Sequence, residues 1–222
     1  MLLRDKAYHY GVMLGDGFLA KGENGYSVLL KAIDKDFVIF WRNCIERMYG
    51  KQYSIYDMKA EGENRQKCYL CKVYGKDKVE EVEKLTHNKT ELPNFVFDGD
   101  NEVKKSFIQG LMDSEGYITT SFSPIKDTHI GLYFANTSRW TKDFWHMFKS
   151  LNIEVSDLKL RKMKDGRKDL YWFKINILDY VNNGLSFNIF RKRRRLEWIS
   201  KILNDYTHNY KGRRYSLAVV EK

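Results

Sequence analysis

Two acids in this 222-residue chain sit in matching surroundings. Asp16 lies in "YHYGVMLGDGFL" (8–19) and Glu115 in "FIQGLMDSEGYI" (107–118). Each closes an apolar run and is followed by glycine. The two stretches superimpose at one offset, 110 − 11 = 99 for Gly11 and Gly110 and 115 − 16 = 99 for the acids. Met13 then falls on Met112, and Gly17 on Gly116. Gly11 and Gly15 are four apart, as are Gly110 and Ser114, so each pair lies on one helix face and lets a second backbone come close. Two such helices packed about a two-fold axis bring Asp16 and Glu115 side by side. Adjacent carboxylates repel, and a helix C-terminus is the wrong end for negative charge. A cation belongs between them, and hard divalent ions with oxygen ligands, such as Mg²⁺, suit the place. Beside a nucleic acid, that arrangement supports metal-assisted phosphodiester cleavage. Taken singly, each stretch is an ordinary helix closed by a glycine cap; the matched pair carries the chemistry.

The elements around the acids repeat as well. In the first half a helix over 7–15 is followed by a hairpin turning at Gly22–Gly25 and a helix over "DKDFVIFWRNCIERMYG", which opens on aspartates and closes on glycine. Extended runs at about 52–60 and 66–74 are joined by "EGENR", and a charged helix covers about 76–87. In the second half a helix at about 102–114 precedes strands at about 117–123 and 128–136, with Pro124 in the turn. The helix in "SRWTKDFWHMFKSLNI" follows, then strands at about 154–163 and 169–177 and a basic helix at about 191–206. Phe40–Trp41 corresponds to Phe144–Trp145. The order is αββαββα twice, a duplication. The halves divide at residues 1–96 and 97–222.

The strands alternate. Tyr171, Phe173, Ile175 and Ile177 suit a core face, whereas Trp172, Lys174 and Asn176 point away. Leu158 and Leu160 face inward, Lys159 and Arg161 outward. Ile118 and Phe122 are buried, while Thr119 and Ser121 show. Each sheet thus has one apolar face for helices and one polar, basic face. Such a face can lie in a DNA major groove.

Composition limits the partners. The net charge is +10 and the pI about 9.3, which calls for a polyanion. Residues 191–214 hold nine basic and two acidic side chains, a net +7. The run "RKRRR" at 191–195 leads into an amphipathic helix and reads as a binding surface. With 43% hydrophobic residues the chain is globular. No apolar run approaches the roughly 20 residues a bilayer needs, and the start carries no secretory signal; a soluble intracellular protein is expected. Cys44, Cys68 and Cys71 make no disulfide framework, and the lone C-x-x-C is read as strand packing.

On these residues the sequence resembles the LAGLIDADG homing endonucleases in their single-chain, two-motif form. "HYGVMLGDG" (9–17) carries the motif at Gly11, Gly15, Asp16 and Gly17, and "IQGLMDSEG" (108–116) at Gly110, Leu111, Asp113, Glu115 and Gly116. The resemblance implies an α+β fold with two saddle-shaped antiparallel sheets and the motif helices at their interface. It implies a monomer that cuts both strands of a long asymmetric double-stranded DNA target, with Mg²⁺ as cofactor. Asp16 and Glu115 become the catalytic acids and metal ligands, with Gly15 and Ser114 as further ligands. Asp113 is structural, because its counterpart is Leu14. Lys192, with Arg194 nearby, supplies the basic group of the second half, and Lys105 is the candidate in the first. Asp34 and Ser138 stand at the polar position before each middle helix. Lys31, Lys59, Lys159, Arg161, Trp172, Lys174 and Arg194 are the candidate DNA contacts. The chain lacks an N-terminal Cys or Ser and a His-Asn end, so it is expected to be free-standing and intron-encoded. An RNA maturase acting on its intron, and a DNA-binding protein without catalysis, are the alternatives on the same fold.

Overall fold

The computed structural model describes residues 2–23, 25–59, 66–121, 129–164 and 166–209. The turns read at 61–65 and around Pro124, the buried place read for Phe122, and the basic residues beyond 209 lie outside them. Among the described residues no helix is long and apolar enough to cross a membrane.

The first half runs α1 (Leu2–Leu14), β1 (Gly17–Gly22), β2 (Gly25–Ala32), α2 (Lys35–Tyr49), β3 (Ile55–Met58), β4 (Cys68–Tyr74) and α3 (Lys76–Thr86). After the short α4 (Asn94–Phe97), the second half repeats it as α5 (Asn101–Glu115), β5 (Tyr117–Ser121), β6 (His129–Asn136), α6 (Thr141–Ser150), β7 (Lys159–Arg161), β8 (Leu170–Ile175) and α7 (Ile177–Asn182). The last helix, α8, covers Phe190–Asn209. The two sheets are antiparallel, four-stranded and identically ordered: β1-β2-β4-β3 and β5-β6-β8-β7. The fold is α+β and duplicated, as the sequence leads one to expect.

Local chemistry explains the boundaries. Gly50 ends α2 at φ 63°, a left-handed cap that a Cβ would disfavour. Asp100 caps α5 by accepting from the Val103 amide. Val28 and Leu30 on β2, and Phe134, Phe173 and Ile175 in the other sheet, are buried against the helices. In the second half Phe134, Phe144, Phe148 and Phe173 form an aromatic core, with Phe134 and Phe144 centroids 4.6 Å apart. The first half uses Trp41, whose indole N–H donates to Nδ1 of the buried His9 at 3.1 Å. Burial takes the pKa of His9 down to about 3, so the ring stays neutral.

Four readings change. The run to residue 177 is not all strand: Asn176 ends β8 and caps α7, its Oδ1 accepting from the amides of Leu178 and Asp179 at 3.0 and 3.2 Å. It is therefore not an outward-facing strand residue. The counterpart of α3 is α7, and α8 is an addition. Leu160 is 45% exposed, on the three-residue edge strand β7. The pairing of Phe40–Trp41 with Phe144–Trp145 also slips by one, since the buried members are Trp41 and Phe144.

Candidate active site

The motif helices α1 and α5 meet at their small residues. A Cβ on Gly11 would fall on the carbonyl oxygen of Phe107, and one on Gly110 on the carbonyl oxygen of Tyr8. Tyr8 and Phe107 are themselves 99 apart, so the contact is its own mirror image. At the lower end of the seam a Cβ on Gly15 would strike the Ser114 side chain and come 3.3 Å from Cγ of Glu115. The two motif ends therefore touch, and the acids that follow sit together. Asp16 opens to solvent at the mouth of a cleft with protein close behind it. Glu115 is half-buried.

Each acid is pushed upward. For Asp16 burial is the main cause, offset by Lys192 and Lys89 and reinforced by Asp34. For Glu115 burial comes first and the charge of Asp16 second, again against Lys192 and Lys89. Both carboxylates thus hold their charge at a cost that a cation between them would relieve.

Two lysines already answer part of that cost. Lys192, at the start of α8, donates from Nζ to the carbonyl oxygens of Asp113 at 2.6 Å and Gly116 at 2.7 Å. It caps the C-terminal end of α5, where unpaired carbonyls concentrate negative charge. Lys89 does the same for α1, donating to the carbonyl oxygens of Gly15, at 3.1 Å, and Gly17. Burial lowers the pKa of both ammonium groups. Lys89 is the last of three consecutive left-handed residues, after His87 and Asn88, with φ of 43°, 55° and 67° in chain order. That bend turns its side chain back to the seam.

Lys89, not Lys105, is the first-half equivalent of Lys192. Lys105 stands ten residues before Glu115 on the same helix, about 15 Å away along the axis, and pairs with Glu102 at 3.3 Å. A fixed offset of 99 from Lys192 lands on Pro93, because the repeat stretches after the first hairpin. Gly22 pairs with Gly25, but Ser121 pairs with His129, so the second turn is five residues longer. The usable signal is distance from the last strand of each half: 89 − 74 = 15 and 192 − 175 = 17.

Asp113, expected to be structural, is tied into the fold by hydrogen bonds. It is buried and accepts from the Tyr8 hydroxyl at 2.7 Å, the Asn188 amide at 2.9 Å and Asn188 Nδ2 at 2.8 Å. Burial nevertheless raises its pKa to about 6. Asp34 lines the cleft beside Asp16, Lys31, Arg191 and Lys192, but both of its oxygens are held by Arg191, at 2.7 and 2.8 Å. Ser138 shapes the turn into α6, its carbonyl accepting from Thr141.

The donor set suits a hard cation. It offers the carboxylates of Asp16 and Glu115; of the two other residues expected as ligands, the Gly15 carbonyl oxygen accepts from Lys89 and the Ser114 hydroxyl donates to the Gly110 carbonyl oxygen at 3.2 Å. Among the described residues no three His, Cys, Asp or Glu side chains cluster as a cage. Two carboxylates are oxygen donors of the kind that a hard divalent cation takes.

The candidate contacts divide between the sheets. Lys31 is exposed on the outer face of the first sheet, opposite Leu70, and Lys59 is exposed just past β3. On the second sheet Lys159 lies 4.9 Å over the Trp172 ring, Lys174 is exposed opposite Tyr133, and Arg161 is exposed on the same face as Lys159. Tyr117 and Tyr133 stack beside them at 5.5 Å, an aromatic pair the sequence reading missed. Arg194 is not on a sheet; it is exposed on α8, 5.7 Å from the Phe190 ring.

No protein-family model matches the sequence. The chain is 32% identical over 154 residues to the uncharacterized protein MJ0314 of Methanocaldococcus jannaschii, covering 68% of this chain and 55% of that one, so it spans about half the length of that relative. Among solved structures it is similar to I-DmoI in complex with DNA and Mn, at a TM-score of 0.56 and 15% identity, over 82% of this chain and 94% of that one. It is also similar to the N-terminal LAGLIDADG domain of DUF199/WhiA, at 0.50 and 12%, over 82% and 81%. The duplicated motif, the repeated strand order and these likenesses agree: the chain has the LAGLIDADG homing endonuclease fold, with both motifs on one polypeptide.

Proposed function

We propose that this protein is a site-specific double-strand DNA endonuclease that hydrolyses phosphodiester bonds with a divalent metal such as Mg²⁺. The observation that carries the reading is the seam itself. It joins two carboxylates of raised pKa with two half-buried lysines, at the point where both sheets begin. Asp16 and Glu115, with Gly15 and Ser114, would hold the cation. When bound, it supplies Lewis acidity at the scissile phosphate and activates water. Lys89 and Lys192 place positive charge where a phosphate would approach. The outer sheet faces, with Lys31, Lys59, Lys159, Arg161, Trp172 and Lys174, would follow the duplex on either side, and Arg194 would meet its backbone. Phosphate contacts set register and base contacts set sequence, so the long sheets read the target while the seam cuts it. With both motifs on one chain the enzyme acts as a monomer.

The test is a cleavage selection from a random duplex library in Mg²⁺, beside the Asp16→Asn/Glu115→Gln double variant. The expected result is cut ends around one shared sequence with the unsubstituted protein alone. Enrichment of a sequence by both proteins with cutting by neither would make the fold a reader without chemistry. Failure of either to enrich any duplex would move the substrate to RNA.

A further inference from the structure

The loops that carry the two lysines are held from the opposite half. Lys89 belongs to the first half and caps α1, the helix that ends two residues before Asp16. Its own carbonyl oxygen accepts from the indole N–H of Trp140, at 3.1 Å. Trp140 sits just before α6 in the second half and is 2% exposed. Lys192 belongs to the second half and caps the helix that ends at Glu115. The two residues before it are tied to the first half, at the start of α2. The Phe190 amide donates to Oδ2 of Asp36, and the Arg191 guanidinium grips Asp34 with two hydrogen bonds. In each case the anchor lies where the second strand of one half turns into its middle helix.

Resting on the endonuclease reading, we propose that Trp140 and the Asp34/Asp36 pair are positioning residues that act crosswise: each half fixes the lysine of the other half's reaction centre. The Trp140 indole N–H and the Asp36 carboxylate each hold a backbone group and so fix where a loop lies, while Asp34 holds the Arg191 side chain beside it. A flexible lysine side chain reaches its carbonyls only if its backbone is placed within reach, and here the placing groups come from across the seam. Cutting of each strand thus depends on both halves being docked, although each acid stands on its own motif.

The experiment uses the full chain and its selected duplex, labelled separately on each strand. Trp140→Phe should slow one strand about three- to tenfold, the effect of one lost hydrogen bond, and accumulate nicked duplex with that strand intact. Asp36→Ala, which leaves Asp34 and its charge beside Asp16 in place, should accumulate the opposite nick. Benzothienylalanine at position 140 keeps the ring shape without the N–H, and should reproduce the Trp140→Phe bias even if that variant packs poorly. Equal slowing of both strands, or bias of both variants toward one strand, would overturn the crosswise arrangement. A second readout needs neither metal nor DNA. In the metal-free protein with ¹³C-labelled lysine, assigned through Lys89→Arg and Lys192→Arg, the position 140 change should move the ε-CH₂ signal of Lys89 alone, and the Asp36 change that of Lys192 alone. Movement of both signals by either variant, or of neither, would overturn the proposal. Absence of any cutting by the unsubstituted protein would instead defeat the endonuclease reading, and the lysine signals would still decide the anchoring.

Discussion

Strand β1 leaves Asp16 for a sheet whose outer face is aliphatic at its centre, where Leu29 pairs with Phe18 and Lys72, and Leu70 with Lys31 and Tyr56. Strand β5 leaves Glu115 for a sheet of the same order whose matching positions are Tyr133, beside Tyr117 and Lys174, and Trp172, beside Lys159. Leu29 and Leu70 are nearly covered by their neighbours, whereas the second face offers a stacked tyrosine pair and a cation over an indole. The backbone contacts at the seam are mirror images; the side chains on the outer faces are not. Duplication has kept what docks the halves and varied what they present. On the proposed endonuclease reading the difference has a use, since base edges differ from one half-site of an asymmetric target to the other.

The largest effects should come from breaking what the halves share. Gly110→Val drives a side chain into the Tyr8 backbone and should remove more than about 3 kcal/mol of stability, or abolish folding. Gly22→Ala, with no atom within 4 Å of a built Cβ, should stay within about 0.5 kcal/mol in the same denaturation series. Next come the acids. Asp16→Asn or Glu115→Gln should each lower double-strand cutting on the order of a hundredfold while leaving duplex affinity nearly intact, because several kcal/mol of charge stabilisation act only on the reaction. Full cutting by either variant would break the equivalence of the two ends.

The next effect belongs to one half only. Burial lifts the pKa of Asp113 from an ordinary 3.8 to about 6. The native state therefore holds this proton more tightly than the unfolded chain between those values. The contribution is full below about pH 4 and is lost as pH rises through about 6, a swing on the order of 2–3 kcal/mol. Asp113→Asn should flatten that part of the stability–pH curve, measured by urea denaturation from pH 4 to 7. An unchanged slope would assign it elsewhere. The smallest effects compare the two faces. Lys31→Ala and Lys174→Ala should each reduce the salt dependence of duplex affinity by about one counterion, and a flat salt dependence in the unsubstituted protein would count against a nucleic-acid partner.

Much of this was legible in the sequence for a physical reason. The motif helices need small residues at one spacing and acids at one end, and short repeats of that kind survive in the residue order. The strands show because their inner faces must be apolar. Lys89 was hidden because a five-residue longer turn shifts the register and the lysine reaches the seam from a loop. The helix α7 was hidden because its first residues continue the alternation of β8 until Asn176 caps them. The crosswise anchors were equally out of reach, since Trp140 and Asp36 gain meaning only from what lies opposite.

One contact in the seam has no mirror image. The Tyr8 hydroxyl donates to Asp113, whereas the residues 99 away from each, Phe107 and Leu14, are apolar and buried. A homotypic pair of first halves would set a buried hydroxyl against leucine, with no acceptor. A homotypic pair of second halves would leave Asp113 without one of its donors. Each mispairing costs on the order of 1–3 kcal/mol per orphaned group. Gly11 and Gly110 would accept either partner, but this single hydrogen bond does not. Replacing either half by a copy of the other would thus orphan a buried polar group at the centre of the seam.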